Sequence, residues 1–131
     1  MEQAADDTRI LIVDDEPDIL DLLRMFIQNA FPTARVLTAR TGHEGLGILD
    51  SGPVDAIVSD YRMPAMDGIE FLSQAGTRLP ECGRILMTAF ADLSLESRAR
   101  KSGVDSFIEK TADPSDLVSA LEDALGQPAA A

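Results

Sequence analysis

Strand-length apolar runs and helix-length amphipathic stretches take turns along this chain, and that alternation leaves few folds open. Arg9 to Val13 (RILIV) is short, β-branched and apolar, as a strand buried on both faces should be. Pro17 follows Asp14-Asp15-Glu16 and suits the first position of a helix, where acids face the positive end of the helix dipole. Ile19, Leu22, Leu23, Phe26 and Ile27 then fall at helical spacing, which predicts a helix from Pro17 to about Asn29 with these residues as its buried stripe. Arg35 to Ala39 (RVLTA), Ala56 to Ser59 (AIVS), Arg84 to Met87 (RILM) and Ser106 to Glu109 (SFIE) repeat the strand signature. Thr41 and Glu44 read as a capping box for a helix weakened by Gly45 and Gly47. Ile69, Leu72 and Ala75 mark a short helix after a loop holding Pro64 and Gly68. Asp92 to Ser102 reads as a polar helix with Arg98, Arg100 and Lys101 near its end and Gly103 as its stop. Asp113-Pro114 opens a last helix with Leu117, Ala120, Leu121, Ala124 and Leu125 on one face. Five strands alternating with five helices predict an α/β fold, a parallel sheet covered on both faces and joined by right-handed crossovers. One domain is expected at 9–125, with residues 1–8 and 126–131 as flexible ends.

Charge and cysteine content narrow the function. Eleven basic residues against 23 acidic ones give a net charge of −12. Such a chain is repelled by nucleic-acid phosphates, so direct nucleic-acid binding is not expected. The single cysteine, Cys82, forms no internal disulfide and reads as a structural or loop thiol. No run of about 18 apolar residues is present to span a membrane, and the acidic start, Met1 to Asp7, lacks the apolar stretch of a signal peptide. A cytoplasmic protein is the expectation.

In parallel sheets of this kind the site lies beyond the carboxyl ends of the strands. Asp14 and Asp15 follow the first strand, Asp60 the third, Thr88 the fourth and Lys110 the fifth. The second delivers only Arg40 and Thr41 and would lie to one side. Three ionised carboxylates in one crevice repel each other. Lys110 offsets one charge, and Mg2+, which takes oxygen ligands and keeps some of its waters, would offset two more. Carboxylates, a metal and a lysine are the parts of a phosphoryl-transfer site, where catalysis is mostly positioning and charge neutralisation. One carboxylate can itself be the nucleophile and form an acyl phosphate. Taken singly, these residues read more plainly: Asp14 and Asp15 as helix caps, Asp60 as a turn residue, Thr88 as a strand-end hydroxyl, Lys110 as a solvated charge. Their convergence favours the site.

Four segments in order resemble the receiver domain of two-component response regulators: Val13-Asp14-Asp15-Glu16, Asp60 through Gly68 (DYRMPAMDG), Met87-Thr88-Ala89 and Phe107-Ile108-Glu109-Lys110. The resemblance runs from about Arg9 to Leu125. It implies a flavodoxin-like (βα)5 fold, doubly wound, with strand order 2-1-3-4-5. It also implies that Asp60 is the phospho-acceptor, that Asp14 and Asp15 hold Mg2+ (Mn2+ as an alternative) together with Asp60, and that the Arg62 backbone carbonyl is a further ligand. Thr88 matches the hydroxyl that meets the phosphoryl group, with small Ala89 beside it leaving the donor a path. Lys110 matches the ion-pair partner and Phe107 the switch aromatic. The implied partners are a histidine kinase or phosphotransfer protein, a downstream partner or output domain, and a second copy through the fourth helix, fifth strand and fifth helix.

Departures sharpen this reading. Thr111 stands where the family usually has proline. Arg62 and Phe90, two positions after Asp60 and Thr88, are large and are expected to shade an acyl phosphate from water. The fourth helix is basic and the fifth carries Asp116, Glu122 and Asp123, which is not the charge pattern of the large dimerising subfamily. Met63 and Met66 read as packing and His43 as a surface residue. An aspartate-nucleophile phosphatase would need an acid two residues after Asp60, where Arg62 stands. A flavin carrier would need a Ser/Thr/Gly-rich first loop, where Asp14-Asp15-Glu16 stands. A receiver-like binder that takes no phosphate is disfavoured by the intact acids, hydroxyl and lysine. No output domain follows Leu125, so the chain is expected either to dock to a partner or to be a receiver cut from a longer regulator.

Overall fold

The computed structural model describes residues 8–110 and 113–130. Five strands form one parallel sheet in the order β2-β1-β3-β4-β5: β1 (Arg9–Val13), β2 (Arg35–Ala39), β3 (Ala56–Asp60), β4 (Gly83–Thr88) and β5 (Ser106–Glu109). The helices between and after them are α1 (Pro17–Ala30), α2 (Gly42–Ser51), α3 (Gly68–Arg78), α4 (Leu93–Lys101) and α5 (Pro114–Leu125). The strand order is the one expected, and the reversal beside β1 and β3 opens a crevice at their carboxyl ends.

The strands lack polar alternation because both faces are covered. Ile10 and Ile12 of β1 join Ile85, Leu20, Ile27 and Leu121 in a core under α1 and α5. Leu11 and Val13 join Ile57, Leu86, Phe71 and Leu72 in a second core under α2, α3 and α4. Every β3 residue is buried, so β3 is central, whereas β2 at the sheet edge is partly exposed. At roughly 1.5–3 kcal/mol per fully buried aliphatic side chain, these two layers supply the main driving force.

Polar caps fix the helix starts. Oxygens of Thr41, Asp67, Asp92 and Asp113 accept the backbone N–H of Glu44, Glu70, Leu95 and Ser115 at 3.0, 2.9, 2.7 and 2.9 Å. Each such cap is worth about 1 kcal/mol. The Glu44 carboxylate reaches past its own cap residue to the N–H of Arg40, at 2.6 Å.

Two sequence expectations change. Leu22 is not in the buried stripe of α1: it is 61% exposed, while Leu20 and Ile27 are buried. Spacing alone placed 19, 22, 23, 26 and 27 on one face, but the face against the sheet is centred on Leu20 and Ile27, and Leu22 lies outside it. Gly45 is also more than a weak helix residue. A Cβ there would stand 2.8 Å from the Phe71 ring, so its absence lets α2 approach α3.

At the ends, Thr8 is buried and its hydroxyl accepts from the Gln127 side chain at 3.0 Å. Gly126 turns the chain at φ 68°, and Ala129 and Ala130 donate to Glu122 Oε2 and the Ala30 carbonyl, each at 2.8 Å. Residues 1–7, Thr111, Ala112 and Ala131 lie outside the described residues, and with them the bond after Lys110 and most of the N-terminal segment expected to be flexible.

Candidate functional site

Parallel pairing brings the strand ends to one edge. Val13 pairs Ser59 across β1 and β3, Asp60 pairs Met87 across β3 and β4, and Thr88 pairs Glu109 across β4 and β5. The residues that follow are locked to neighbouring strands: Asp14 N–H to the Ala39 carbonyl at 3.1 Å, Tyr61 N–H to Met87 at 2.8 Å and Lys110 N–H to Thr88 at 2.7 Å. Sites built on strand ends in this way are held more firmly than sites on free loops.

The structure brings Asp14, Asp15, Asp60 and Lys110 together. Asp14 is 1% exposed and Asp60 7%, with Asp15 half-buried. One carboxylate oxygen from each acid lies within 4.8 Å of the other two. The Lys110 ammonium donates to Asp14 Oδ2 at 3.1 Å and stands 3.2 Å from Asp60 Oδ1. Glu16 Oε1 is 3.9 Å from the same ammonium, a contact the sequence reading did not assign, although Glu16 sits in the acidic run. Asp14 also accepts the Glu16 N–H at 2.9 Å, so its plainer role as a turn acceptor before α1 coexists with the cluster.

Magnitudes decide the state of this cluster. At an effective dielectric near 20, each carboxylate pair costs about 3–4 kcal/mol and each close contact with the ammonium returns about 5 kcal/mol. Three repulsions and two attractions roughly cancel, which leaves the desolvation of the acids uncompensated. Burial, then the charge on Asp14, accordingly push the Asp60 carboxyl above its ordinary value despite Lys110. Burial opposes the charge on Lys110, but its bonds to Asp14 and Asp60 outweigh that and raise its pKa. A set of three carboxylate oxygens with surplus negative charge fits a hard divalent cation.

Thr88 is 4% exposed, and its hydroxyl accepts from the Phe90 N–H and donates to the Phe90 carbonyl, both at 3.3 Å. Phe107 is half-buried against the core under α4. Ala89 and Arg62 are exposed, and Phe90 is 77% exposed. Arg62, Thr88, Phe90, Asp92 and Arg98 line one cleft beside the acids; Asp15, Tyr61, Met63 and Asp67 line another with Arg62. Met66 is buried as core, as is Cys82, while His43 is exposed.

The loop from Asp60 to α3 is folded back tightly. Gly68 N–H donates to the Tyr61 carbonyl at 2.8 Å, and a Cβ on Gly68 would collide with the Asp60 carbonyl oxygen. Ala65 has φ 71°, with Met66 N–H reaching the Pro64 carbonyl at 2.7 Å. A left-handed alanine costs on the order of 1 kcal/mol, a strain that the packing of Met66 offsets.

Comparison with known proteins agrees with this geometry. The family described as "Response regulator receiver domain" matches residues 10–122. The chain is 36% identical over 122 residues to the transcriptional regulatory protein GlrR of Escherichia coli, covering 93% of this chain and 27% of that protein. It is 34% identical over 116 residues to the DNA-binding transcriptional regulator NtrC of Salmonella typhimurium, covering 88% and 24%. The chain thus spans about a quarter of the length of these relatives. Among solved structures, a CheY-like receiver domain protein from Methanospirillum hungatei superposes with a TM-score of 0.84 at 31% identity, over 92% of this chain and 94% of that one.

Proposed function

We propose that this chain, which belongs to the response regulator receiver domain family, is a phospho-accepting switch in which Asp60 takes a phosphoryl group from a histidine kinase or phosphotransfer protein. The observation that carries this reading is the Lys110 ammonium set between Asp14 and Asp60 at the strand ends. In the step, an Asp60 carboxylate oxygen bonds to the phosphorus of a donor phosphohistidine as the phosphorus–nitrogen bond breaks. The imidazole leaves with the electron pair and is protonated from solvent. Asp14, Asp15, Asp60 and the Arg62 carbonyl would hold Mg2+, or Mn2+ in its place. The ion, when bound, supplies positive charge beside the acids. Lys110 offsets charge on the transferred group, and the Thr88 hydroxyl turns from Phe90 to meet its oxygens. Like other receivers, the chain would catalyse only its own phosphorylation and dephosphorylation.

The acyl phosphate on Asp60 carries up to two negative charges where the carboxylate carried one, and three phosphoryl oxygens that accept hydrogen bonds, and this shifts the balance between conformers. Phe107, half-buried now, fills the space Thr88 leaves, and the α4-β5-α5 surface changes for a downstream partner or output domain. Arg62 and Phe90 shade the acyl phosphate and lengthen its life, and Ala89 leaves the donor room. A phosphorylation-dependent pair of chains would use the basic end of α4 and acidic α5. Arg100 is engaged with Glu96 at 3.0 Å and Glu122 with Ala129, which leaves Arg98 and Lys101 to face Asp116 and Asp123 of a second copy. Such exposed pairs add at most about 1 kcal/mol each. No helix among the described residues is long and apolar enough to cross a membrane, and the reading places the chain in the cytoplasm with no direct nucleic-acid contact. The test is mass measurement after incubation with acetyl phosphate or phosphoramidate and Mg2+. One added phosphoryl group on the native chain and none on Asp60→Asn is expected; an unmodified native chain, or equal modification of both, overturns the assignment.

A further inference from the structure

We infer that the chain also loads Asp60 from small acyl phosphates, and that Arg98 receives the carboxylate they release. This rests on the phosphoryl-site reading and adds to it a donor class and a leaving-group residue. Two clefts flank the acid cluster, and Arg62 borders both. Their charges differ. On one side Arg62 shares the lining with the carboxylates of Asp15 and Asp67. On the other it shares a cleft of about 240 Å3 with Arg98, Tyr61 and Thr88. A water in the liquid takes roughly 30 Å3, so this second cleft admits a small carboxylate with part of its hydration. It begins beside the reacting group, because Tyr61 and Arg62 follow Asp60 directly and Thr88 ends the adjacent strand.

The cations of that cleft are unengaged. Arg78 pairs with Asp50 at 2.9 Å and Arg100 with Glu96 at 3.0 Å, whereas among the described residues neither Arg62 nor Arg98 has an ion-pair partner. The carboxylate that lines the cleft, Asp92, is held elsewhere: it accepts the Leu95 N–H at 2.7 Å and faces the positive end of α4. In a chain of net charge −12, two free guanidinium groups beside a carboxylate nucleophile are a local site for an anion. The step balances without a proton. An Asp60 carboxylate oxygen bonds to phosphorus, the bond from phosphorus to the acyl oxygen breaks, and the electron pair leaves on a carboxylate. Phosphoramidate instead breaks a phosphorus–nitrogen bond and departs as ammonia, with a proton supplied to nitrogen. Of the two, only the acyl donor releases an anion. A cation placed there stabilises its transition state more than its ground state. Arg98 acts in this way before phosphorylation, and pairing with a second copy follows once the carboxylate has gone.

Rates of Asp60 loading on the full chain with Mg2+, followed by mass, compare acetyl phosphate with phosphoramidate. Arg98→Gln should lower the ratio of the two rates by about fivefold, equivalent to about 1 kcal/mol of leaving-group stabilisation, and Arg98→Lys should keep most of it. Plain attraction of a more highly charged donor would also lower that ratio, so a second series separates the two effects. Substituted benzoyl phosphates share one charge and one phosphoryl group and differ in the basicity of the carboxylate released. Across them Arg98→Gln should slow the most basic leaving group most, which steepens the dependence on leaving-group basicity. A parallel drop across that series, or a donor ratio within about twofold of native, overturns the role of Arg98. Beryllofluoride has no leaving group, so its binding with Mg2+ should weaken by less than about twofold in Arg98→Gln; a loss as large as that with acetyl phosphate also overturns it. If neither donor loads the native chain, the phosphoryl-site reading fails and takes this inference with it. If both load it and the ratio ignores Arg98, this inference alone fails.

Discussion

The two edges of the sheet use aspartate in opposite ways. At the amino edge, Asp55 and Asp105 are exposed, and each is paired with the backbone of the adjacent strand. The Asp55 N–H donates to the Arg9 carbonyl and its carboxylate accepts the Arg9 N–H; Asp105 does the same with Arg84, all four bonds at 2.8 Å. At the carboxyl edge, Asp14 and Asp60 are buried against each other with Asp15 beside them and a single ammonium between. One edge satisfies each carboxylate with fixed N–H donors in water. The other crowds three acids where neither donors nor solvent suffice, and leaves an excess of negative charge that a divalent cation would offset.

The contrast is easiest to break at Asp60. Asp60→Asn should abolish phosphoryl uptake and yet stabilise the fold by about 1–3 kcal/mol, because neutralising a crowded buried charge often gains stability. Asp105→Ala should do the reverse, read by the same mass measurement and by urea unfolding. Uptake persists, and stability falls by about 1 kcal/mol as the Arg84 N–H loses its acceptor. Destabilisation by Asp60→Asn would show that the acids at both edges are structural.

Lys110→Ala should cost about 2–4 kcal/mol at pH 7, the penalty for stripping a buried pair of its partner. The loss should shrink as pH falls and Asp60, whose carboxyl is raised above its ordinary value by burial and by the charge on Asp14, takes up its proton. The pH dependence of the native chain follows from the two shifts. Asp60 has a raised pKa, so the folded chain holds that proton more tightly than the unfolded one. Its favourable contribution is present below the unfolded value of 3.8 and is lost as pH rises through the folded pKa. Lys110 is also raised, so its contribution is intact below 10.5 and is lost only as pH climbs beyond that, through its folded pKa. A smaller effect than the loss of Lys110 sharpens the comparison most. Mg2+ at about ten times its dissociation constant should stabilise the native chain by about 1.4 kcal/mol, raising Tm by a few degrees, and Asp60→Asn by less. An equal gain in both would move the metal away from the cluster.

Much of this was legible in the sequence, for a physical reason. A strand buried on both faces announces itself by an unbroken apolar run, so Asp14, Asp60, Thr88 and Lys110 could each be placed at a strand end, and the parallel sheet brought those ends to one edge. The amino edge was missed, though a signal existed: Val54-Asp55 and Val104-Asp105 stand identically before β3 and β5. The outward turn of Leu22, the Thr88–Phe90 clasp and the seating of Arg84 between Gly76 and Gly103 were not legible. They depend on how helices rotate and approach in space, which one-dimensional spacing does not carry. Arg84 read as an ordinary strand-start residue, and Gly76 as nothing at all.

The claim that Asp60 is a carboxylate held under excess charge can be measured directly by following its side-chain carboxyl carbon by NMR through pH, with and without Mg2+. The account predicts that Asp60 titrates above 3.8 in the absence of metal, that Mg2+ pulls its titration down, and that Asp55 and Asp105 ignore the ion. An Asp60 that titrates at or below 3.8 and is indifferent to Mg2+ would contradict it.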